Sequence, residues 1–259
     1  MSEDRVVVIT GASSGIGAGL AIGLGRDGFR LVLGARSQEK LRAVAEEAAP
    51  QGLALAVECD VTRRQNVEKL RDVALERFGR VDVWVNNAGR GILRPVLELT
   101  DEDIDEMMAV NLKSAVYGMQ TIIPYFIERG RGHVINVSSA LARFPNAPLR
   151  SAYNAAKAAL NAVSANVRMD LNRQGANDVH VSVVMPGIVP TEFAVHAKYS
   201  RGPLAKLPSG ALQPQSIDEV VQVMRHIIDE PRAEAFTNPA AAELVQRYIK
   251  DVGAFEAQL

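Results

Sequence analysis

The chain has 259 residues, 47% of them apolar and 23% charged, and a formal net charge of -1. That length suits one large α/β domain with a sizeable core, and the near-neutral balance supplies no basic field for a nucleic-acid backbone, so no nucleic-acid partner is expected. The single cysteine, Cys59, cannot form an internal disulfide, and the four histidines (His133, His180, His196 and His226) are too scattered to suggest a metal site, which together fit a reducing, cytoplasmic setting.

The first element is the β-branched run "RVVVIT", followed by the turn "GASSG" and a glycine-rich segment at helical spacing, which predicts strand, turn and helix. Val6 to Gly25 is 20 residues without a charge and has the outline of a signal peptide or membrane span. Six glycines and three Ser or Thr dilute its apolar content below what insertion requires, so no membrane partner is expected. The strand and helix alternation then recurs: "RLVLGAR" before "SQEKLRAVAEEA", "GLALAVECDV" before "RRQNVEKLRDVALERF", "RVDVWVNNAG" before one long helix "TDEDIDEMMAVNLKSAVYGMQTIIPYFIE", "GHVINVSS" before "SAYNAAKAALNAVSANVRMDLNRQ", and finally "DVHVSVVMPG". Strands that are apolar throughout and separated by helices predict a parallel sheet covered on both faces. The expectation is a doubly wound α/β domain, Rossmann-like and single over residues 1–259, with right-handed crossovers. The least regular stretch, Pro186 to Ser216, reads as a loop or lid over a ligand site at about 187–215. The ending "EAFTNPAAAELVQRYIKDVG" predicts a short strand and then a helix from about Ala240 to Val252.

Between the first strand and first helix, "TGASSGIG" has the spacing GxxxGxG, with Gly11, Gly15 and Gly17 as its fixed points. Glycines there let a backbone approach a pyrophosphate, and the helix start offers unpaired N–H groups, which makes Gly11, Ser13, Ser14, Gly15, Ile16 and Gly17 candidate cofactor contacts. Gly15, Gly19 and Gly23 recur every four residues and predict a bare helix face packed closely on the sheet. The same letters satisfy GxSxG, the elbow of a serine hydrolase, with Ser13 as nucleophile and His196 or His226 as base; the glycines inside the helix go unexplained on that reading. Arg36 follows the second strand, where an acidic residue would meet an adenosine ribose; a guanidinium there pairs with a 2'-phosphate and favours NADP over NAD.

The motifs "TGASSGIG" at 10–17, "CDV" at 59–61, "NNAG" at 86–89, Asn111 in "VNL", "INVSS" at 135–139, "YNAAK" at 153–157 and "PGIVPT" at 186–191 stand in one order over about three quarters of the chain. In these the chain resembles the short-chain dehydrogenase/reductase family. The resemblance implies an oxidoreductase moving a hydride between a nicotinamide and a small-molecule carbonyl or alcohol. It also implies Asp60 and Val61 near the adenine, Asn87 of "NNAG" by the ribose, Thr191 near the carboxamide and a homo-oligomer, dimer or tetramer. Ser139 would polarise the carbonyl and Asn111 would hold a water connected to Lys157.

The residue chemistry runs the same way. Reduction of a ketone needs an acid, and Tyr153 can serve if a nearby cation lowers its pKa; Lys157, four positions on, stacks on the same helix face. Taken alone, such a pair is more often a packed aromatic beside a solvated lysine. A dinucleotide sensor without turnover is the remaining rival, with no need for the whole Asn111, Ser139, Tyr153 and Lys157 set. Ser139 to Tyr153 is fourteen positions, one more than is usual in the family, so an extra residue must bulge within "ALARFPNAPLRSA" and Ser138 stays an alternative. Phe144, Pro145, Phe193 and His196 are expected to border the nicotinamide in a partly apolar pocket.

Overall fold

The computed structural model describes residues 5–49, 52–200 and 212–258. Along the chain come β1 (Val6–Thr10), α1 (Gly15–Arg26), β2 (Arg30–Ala35), α2 (Gln38–Ala48), β3 (Ala54–Glu58), α3 (Arg64–Phe78) and β4 (Val83–Asn86). Next are α4 (Asp101–Met108), α5 (Ser114–Arg129), β5 (Gly132–Val137), α6 (Ser151–Arg173), β6 (Val179–Met185), α7 (Glu192–Val195), α8 (Ile217–Asp229), β7 (Glu234–Phe236), α9 (Pro239–Lys250) and α10 (Val252–Glu256). The seven strands form one all-parallel sheet in the order β3-β2-β1-β4-β5-β6-β7. This is the expected single α/β domain.

The central strand β1 carries no polar alternation because both of its faces are covered. Val7 and Ile9 of β1 point to one side, onto Leu20 and Leu24 of α1, Leu41 of α2 and Met224 of α8. Val8, between them, points to the other, with Leu70 of α3, Ile122 and Phe126 of α5 and Leu171 of α6. After β1 the chain builds β2 and β3 on one side and then crosses to β4, so a crevice opens beyond the carboxyl ends of β1 and β4. Thr10 ties those ends: its Oγ1 donates to Val85 O (3.3 Å) and accepts from the N–H groups of Asn87 (3.1 Å) and Ala88 (3.2 Å).

Three expectations change. The glycine stripe of α1 does not face the sheet: an added Cβ at Gly19 would overlap Ile217, one at Gly23 would lie 3.1 Å from Val221, and Gly15 faces Thr191. Gly19 and Gly23 therefore admit α8, while Leu20, Ala21 and Leu24 take the sheet side. The long helix expected from Thr100 onward is broken by a π-helical turn at Ala109–Lys113. The helix expected from Ala240 to Val252 stops at Lys250, where Asp251 turns extended and its Oδ1 accepts from Ala254 N (2.9 Å) to start α10. Among the described residues no helix is long and apolar enough to cross a membrane.

Part of the expected lid is described, and it is anchored. Lys198 forms a parallel bridge with Ile92: Lys198 N donates to Gly91 O (2.9 Å) and Leu93 N to Lys198 O (2.9 Å). Beneath it the fully buried carboxylate of Asp103 meets Lys198 (2.7 Å), Arg94 (2.9 Å) and the Tyr199 hydroxyl (3.0 Å). Burial alone would raise the Asp103 pKa, but these donors and the Thr100 N–H hold it well below the usual carboxylate range. Residues 201–211 of the expected lid lie outside the described residues.

Candidate active site

The crevice is a cavity of about 1260 Å³ whose lining runs from Gly11 through Arg36 and Asp60 to Ser139, Tyr153 and Phe144. Its floor is the β1–α1 turn. Gly11 has φ +67°, a conformation that glycine adopts without cost, and an added Cβ would lie 2.7 Å from Ala88 Cα. One on Gly17 would lie 2.5 Å from Gly11 O and overlap the amide of Asn87, which donates to Thr10 O and Gly11 O, both at 3.0 Å. Ser14 precedes α1 without a side-chain cap bond, so the first N–H groups of the helix keep their donors for a ligand. A bare backbone turn beneath open helix donors fits the pyrophosphate of a dinucleotide.

Ser13, Ser14, Gly15, Ile16, Arg36, Asp60, Val61, Asn87, Tyr153, Lys157 and Thr191, all expected to meet the cofactor, line this cavity with Gly11. Gly17 lies behind the turn and acts by letting the helix approach. Arg36 is exposed on the rim. Burial pushes the Asp60 carboxyl up, but hydrogen bonds from Thr62 and the charges of Arg36 and Arg63 outweigh it and hold the pKa below its ordinary value.

At the other end, Ser139 and Tyr153 both line the cavity, and the Ser139 hydroxyl acts to lower the Tyr153 pKa. The Ser139 hydroxyl also accepts from Leu141 N (3.2 Å), capping the short turn Ala140–Ala142, and a second such turn at Pro148–Arg150 leads into α6. These two turns accommodate the longer spacing between serine and tyrosine. Ser138 also lines the cavity, but its hydroxyl donates to Lys157 O (3.3 Å). Burial raises the Tyr153 pKa, against the lowering effects of the Ser139 hydroxyl and the Arg150 charge. Lys157 Nζ donates to Val137 O (2.8 Å) and lies 5.9 Å from the centre of the Tyr153 ring. Burial lowers the Lys157 pKa to about 8. Asn111 sits in the π-helical turn with its amide engaged, donating to Arg90 O (2.9 Å) and Met107 O (3.1 Å) and accepting from Arg90 N (3.0 Å). An added Cβ on Gly89 would lie 3.0 Å from Asn111 Oδ1 and 3.7 Å from Lys157 Nζ, so both polar ends flank one bare glycine.

Phe144, Phe193 and His196 line the cavity as expected, and the Phe193 ring meets the Tyr153 ring edge to face at 5.6 Å. Pro145 is exposed and is not part of the wall. The hydrolase alternative lacks its base: among the described residues no histidine bonds Ser13, His196 Nδ1 is 3.9 Å from Glu192, and His226 Nε2 is 3.4 Å from Glu230. Sequence reasoning missed Arg90, Glu106 and Arg150, which also line the cavity. Arg150, three positions before Tyr153, carried the one available signal, a cation at helical spacing from the tyrosine.

Comparison with known proteins agrees with this geometry. The family described as "short chain dehydrogenase" matches residues 5–201. The chain belongs to the short-chain dehydrogenase/reductase family. An uncharacterized oxidoreductase of Staphylococcus aureus is 33% identical over 218 residues, 84% of this chain and 89% of that one. A family member from Burkholderia phymatum, solved in complex with NAD, superposes with a TM-score of 0.86 at 26% identity, covering 98% of this chain and 96% of its own. An alcohol dehydrogenase from Thermococcus sibiricus, complexed with 5-hydroxy-NADP, has a TM-score of 0.76 at 30% identity and covers 90% and 95% respectively. The chain is thus an oxidoreductase of this family using a nicotinamide cofactor.

Proposed function

We propose that this short-chain dehydrogenase/reductase is NADP-dependent and moves a hydride between nicotinamide and a ketone, aldehyde or secondary alcohol. The observation that carries the reading is that Ser139, Tyr153 and Lys157 line the same end of the cavity, with Lys157 a helical turn behind the phenol. Nicotinamide, when bound, supplies or accepts the hydride. The turn from Gly11 to Gly17 would hold the pyrophosphate, Asn87, Tyr153 and Lys157 the ribose, Asp60 and Val61 the adenine, and Thr191 the carboxamide. In reduction Tyr153 gives its proton to the carbonyl oxygen while Ser139 donates a second hydrogen bond to the same atom. In oxidation the phenolate takes the alcohol proton back. Burial keeps the phenol protonated near neutral pH, which suits reduction. Asn111 would support the water that returns a proton through Lys157, and the assembly would be a cytoplasmic homo-oligomer.

NADP is favoured over NAD because the rim beyond β2 presents Ala35, Arg36 and Lys40 and no carboxylate directly after the strand. The test is a turnover screen over ketones, aldehydes and secondary alcohols with both cofactors, in wild type and Arg36→Ala. Loss of one charged phosphate contact corresponds to roughly tenfold to hundredfold weaker NADPH use with NADH little changed. Equal losses with both cofactors contradict the phosphate contact.

A further inference from the structure

The charged groups around the cavity are nearly all neutralised. Lys40 pairs with Glu192 (3.1 Å), Glu106 with Arg90 and with Lys198 (3.1 Å), and Lys157 spends its ammonium on Val137 O (2.8 Å). Arg150 is different. It is half-buried in the wall, directly before α6, and among the described residues its guanidinium has no carboxylate, carbonyl or hydroxyl in bonding contact; its one interaction is electrostatic, with Tyr153. Residues 201–211 contain no Asp or Glu. Burial already pulls the Arg150 pKa below its ordinary value. A desolvated cation without a counter-ion is costly, and proteins normally pair it. Here the open partner position faces the space where the substrate must lie.

We infer that Arg150 is a specificity-determining residue and that the substrate is a short oxo acid, its ketone at Ser139 and Tyr153 and its carboxylate on the Arg150 guanidinium. The inference rests on the reading of Ser139 and Tyr153 as the carbonyl-binding pair. Arg150 stands directly before α6, lines the same cavity as Tyr153 and acts electrostatically on its phenol, so a carbonyl at Tyr153 and an anion at Arg150 belong to one small molecule. The guanidinium fork matches a carboxylate through two parallel bonds. A single unpaired cation suits a monoanion, whereas a phosphate monoester would require further positive charge. Leu93, Phe144 and Leu149 supply an apolar wall for the carbon chain between the two polar ends.

The test compares acetoacetate and levulinate with their methyl esters, as kcat/KM with NADPH, in wild type, Arg150→Gln and Arg150→Lys. Wild type is expected to prefer an acid over its ester at least tenfold, and the glutamine variant to reduce that acid-to-ester ratio by roughly tenfold to hundredfold, the usual weight of hydrogen bonds to a charged group. The lysine variant restores part of the ratio. An equal fall for acid and ester, as a purely structural role or an effect on Tyr153 alone would produce, overturns the assignment. So does an ester preference in wild type. If neither acid nor ester is turned over while other ketones of the screen are, the oxo-acid assignment is overturned and the carbonyl-reduction reading stands; if no ketone of the screen is turned over with either cofactor, the carbonyl-reduction reading fails separately. Calorimetric titration of levulinate into NADPH-loaded protein then still decides: binding lost in Arg150→Gln supports the site, and no binding to wild type refutes it.

Discussion

Replacing Lys157 with methionine should make the protein inactive and more stable. Lys157 is 4% exposed, and burial lowers its pKa from 10.5 to about 8. Each pKa unit is worth about 1.4 kcal/mol, so keeping the ammonium charged in the fold at pH 7 costs about 3 kcal/mol. The sign follows from proton binding. Between pH 8 and 10.5 the unfolded chain holds a proton that the folded chain does not, so folding stability rises with pH across that window. Below pH 8 the whole penalty applies. Methionine has similar length and no charge, but it leaves Val137 O without the donor at 2.8 Å, which returns about 1–2 kcal/mol of the gain. The net expectation is about 1–2 kcal/mol of added stability at pH 7, a Tm rise of about 2–8 °C in a domain of this size. Urea denaturation of both proteins from pH 7 to 10.5 measures it. The wild-type rise in stability over that range should flatten in the variant, while turnover disappears. A variant less stable than wild type at pH 7, or one with an unchanged pH slope, refutes the reasoning.

Gly17→Ala should lower stability by about 1–3 kcal/mol despite alanine's better helix propensity, since the new methyl collides with Gly11 O and displaces the Asn87 amide from Thr10 O and Gly11 O; denaturation and fluorescence titration with NADPH should show both lost stability and weaker cofactor binding. His133 is buried against Ser182 (2.8 Å), and burial together with the His180 charge lowers its pKa to about 3. Folding stability is therefore fully present above about pH 6.5 and should fall by about 1.4 kcal/mol per unit as pH drops towards 3. Denaturation curves at pH 5 and 7 should differ by about 2 kcal/mol, and His133→Asn should remove most of that difference.

The sheet was legible because most strand segments are predominantly apolar and most are followed by a helical period, as in "VVVIT" before α1. What local pattern could not supply was the partner of each face. Gly19 and Gly23 signal a close approach, but only the fold reveals that Ile217 and Val221 of α8 fill it. The π-helical turn at Ala109–Lys113 is not legible because one wide turn barely disturbs a helical period; within it Asn111 bonds across to Arg90 and back to Met107. The site was legible as residue types in order, since Ser139, Tyr153 and Lys157 occupy matching motifs. Electrostatics was not, because it depends on burial: Lys157 faces Val137 O, while Arg150 supplies the charge that Tyr153 feels.

The central claim is that Tyr153 carries the proton that accompanies hydride transfer, and Tyr153→Phe tests it with the loss of one oxygen atom. The phenyl ring keeps its contact with Phe193, so the fold and NADPH binding should be preserved, as read by thermal denaturation and fluorescence titration. Steady-state reduction of the best ketone from the screen should fall by at least a hundredfold, the scale of general acid catalysis. A folded, NADPH-binding Tyr153→Phe protein that reduces that ketone at the wild-type rate would contradict the account.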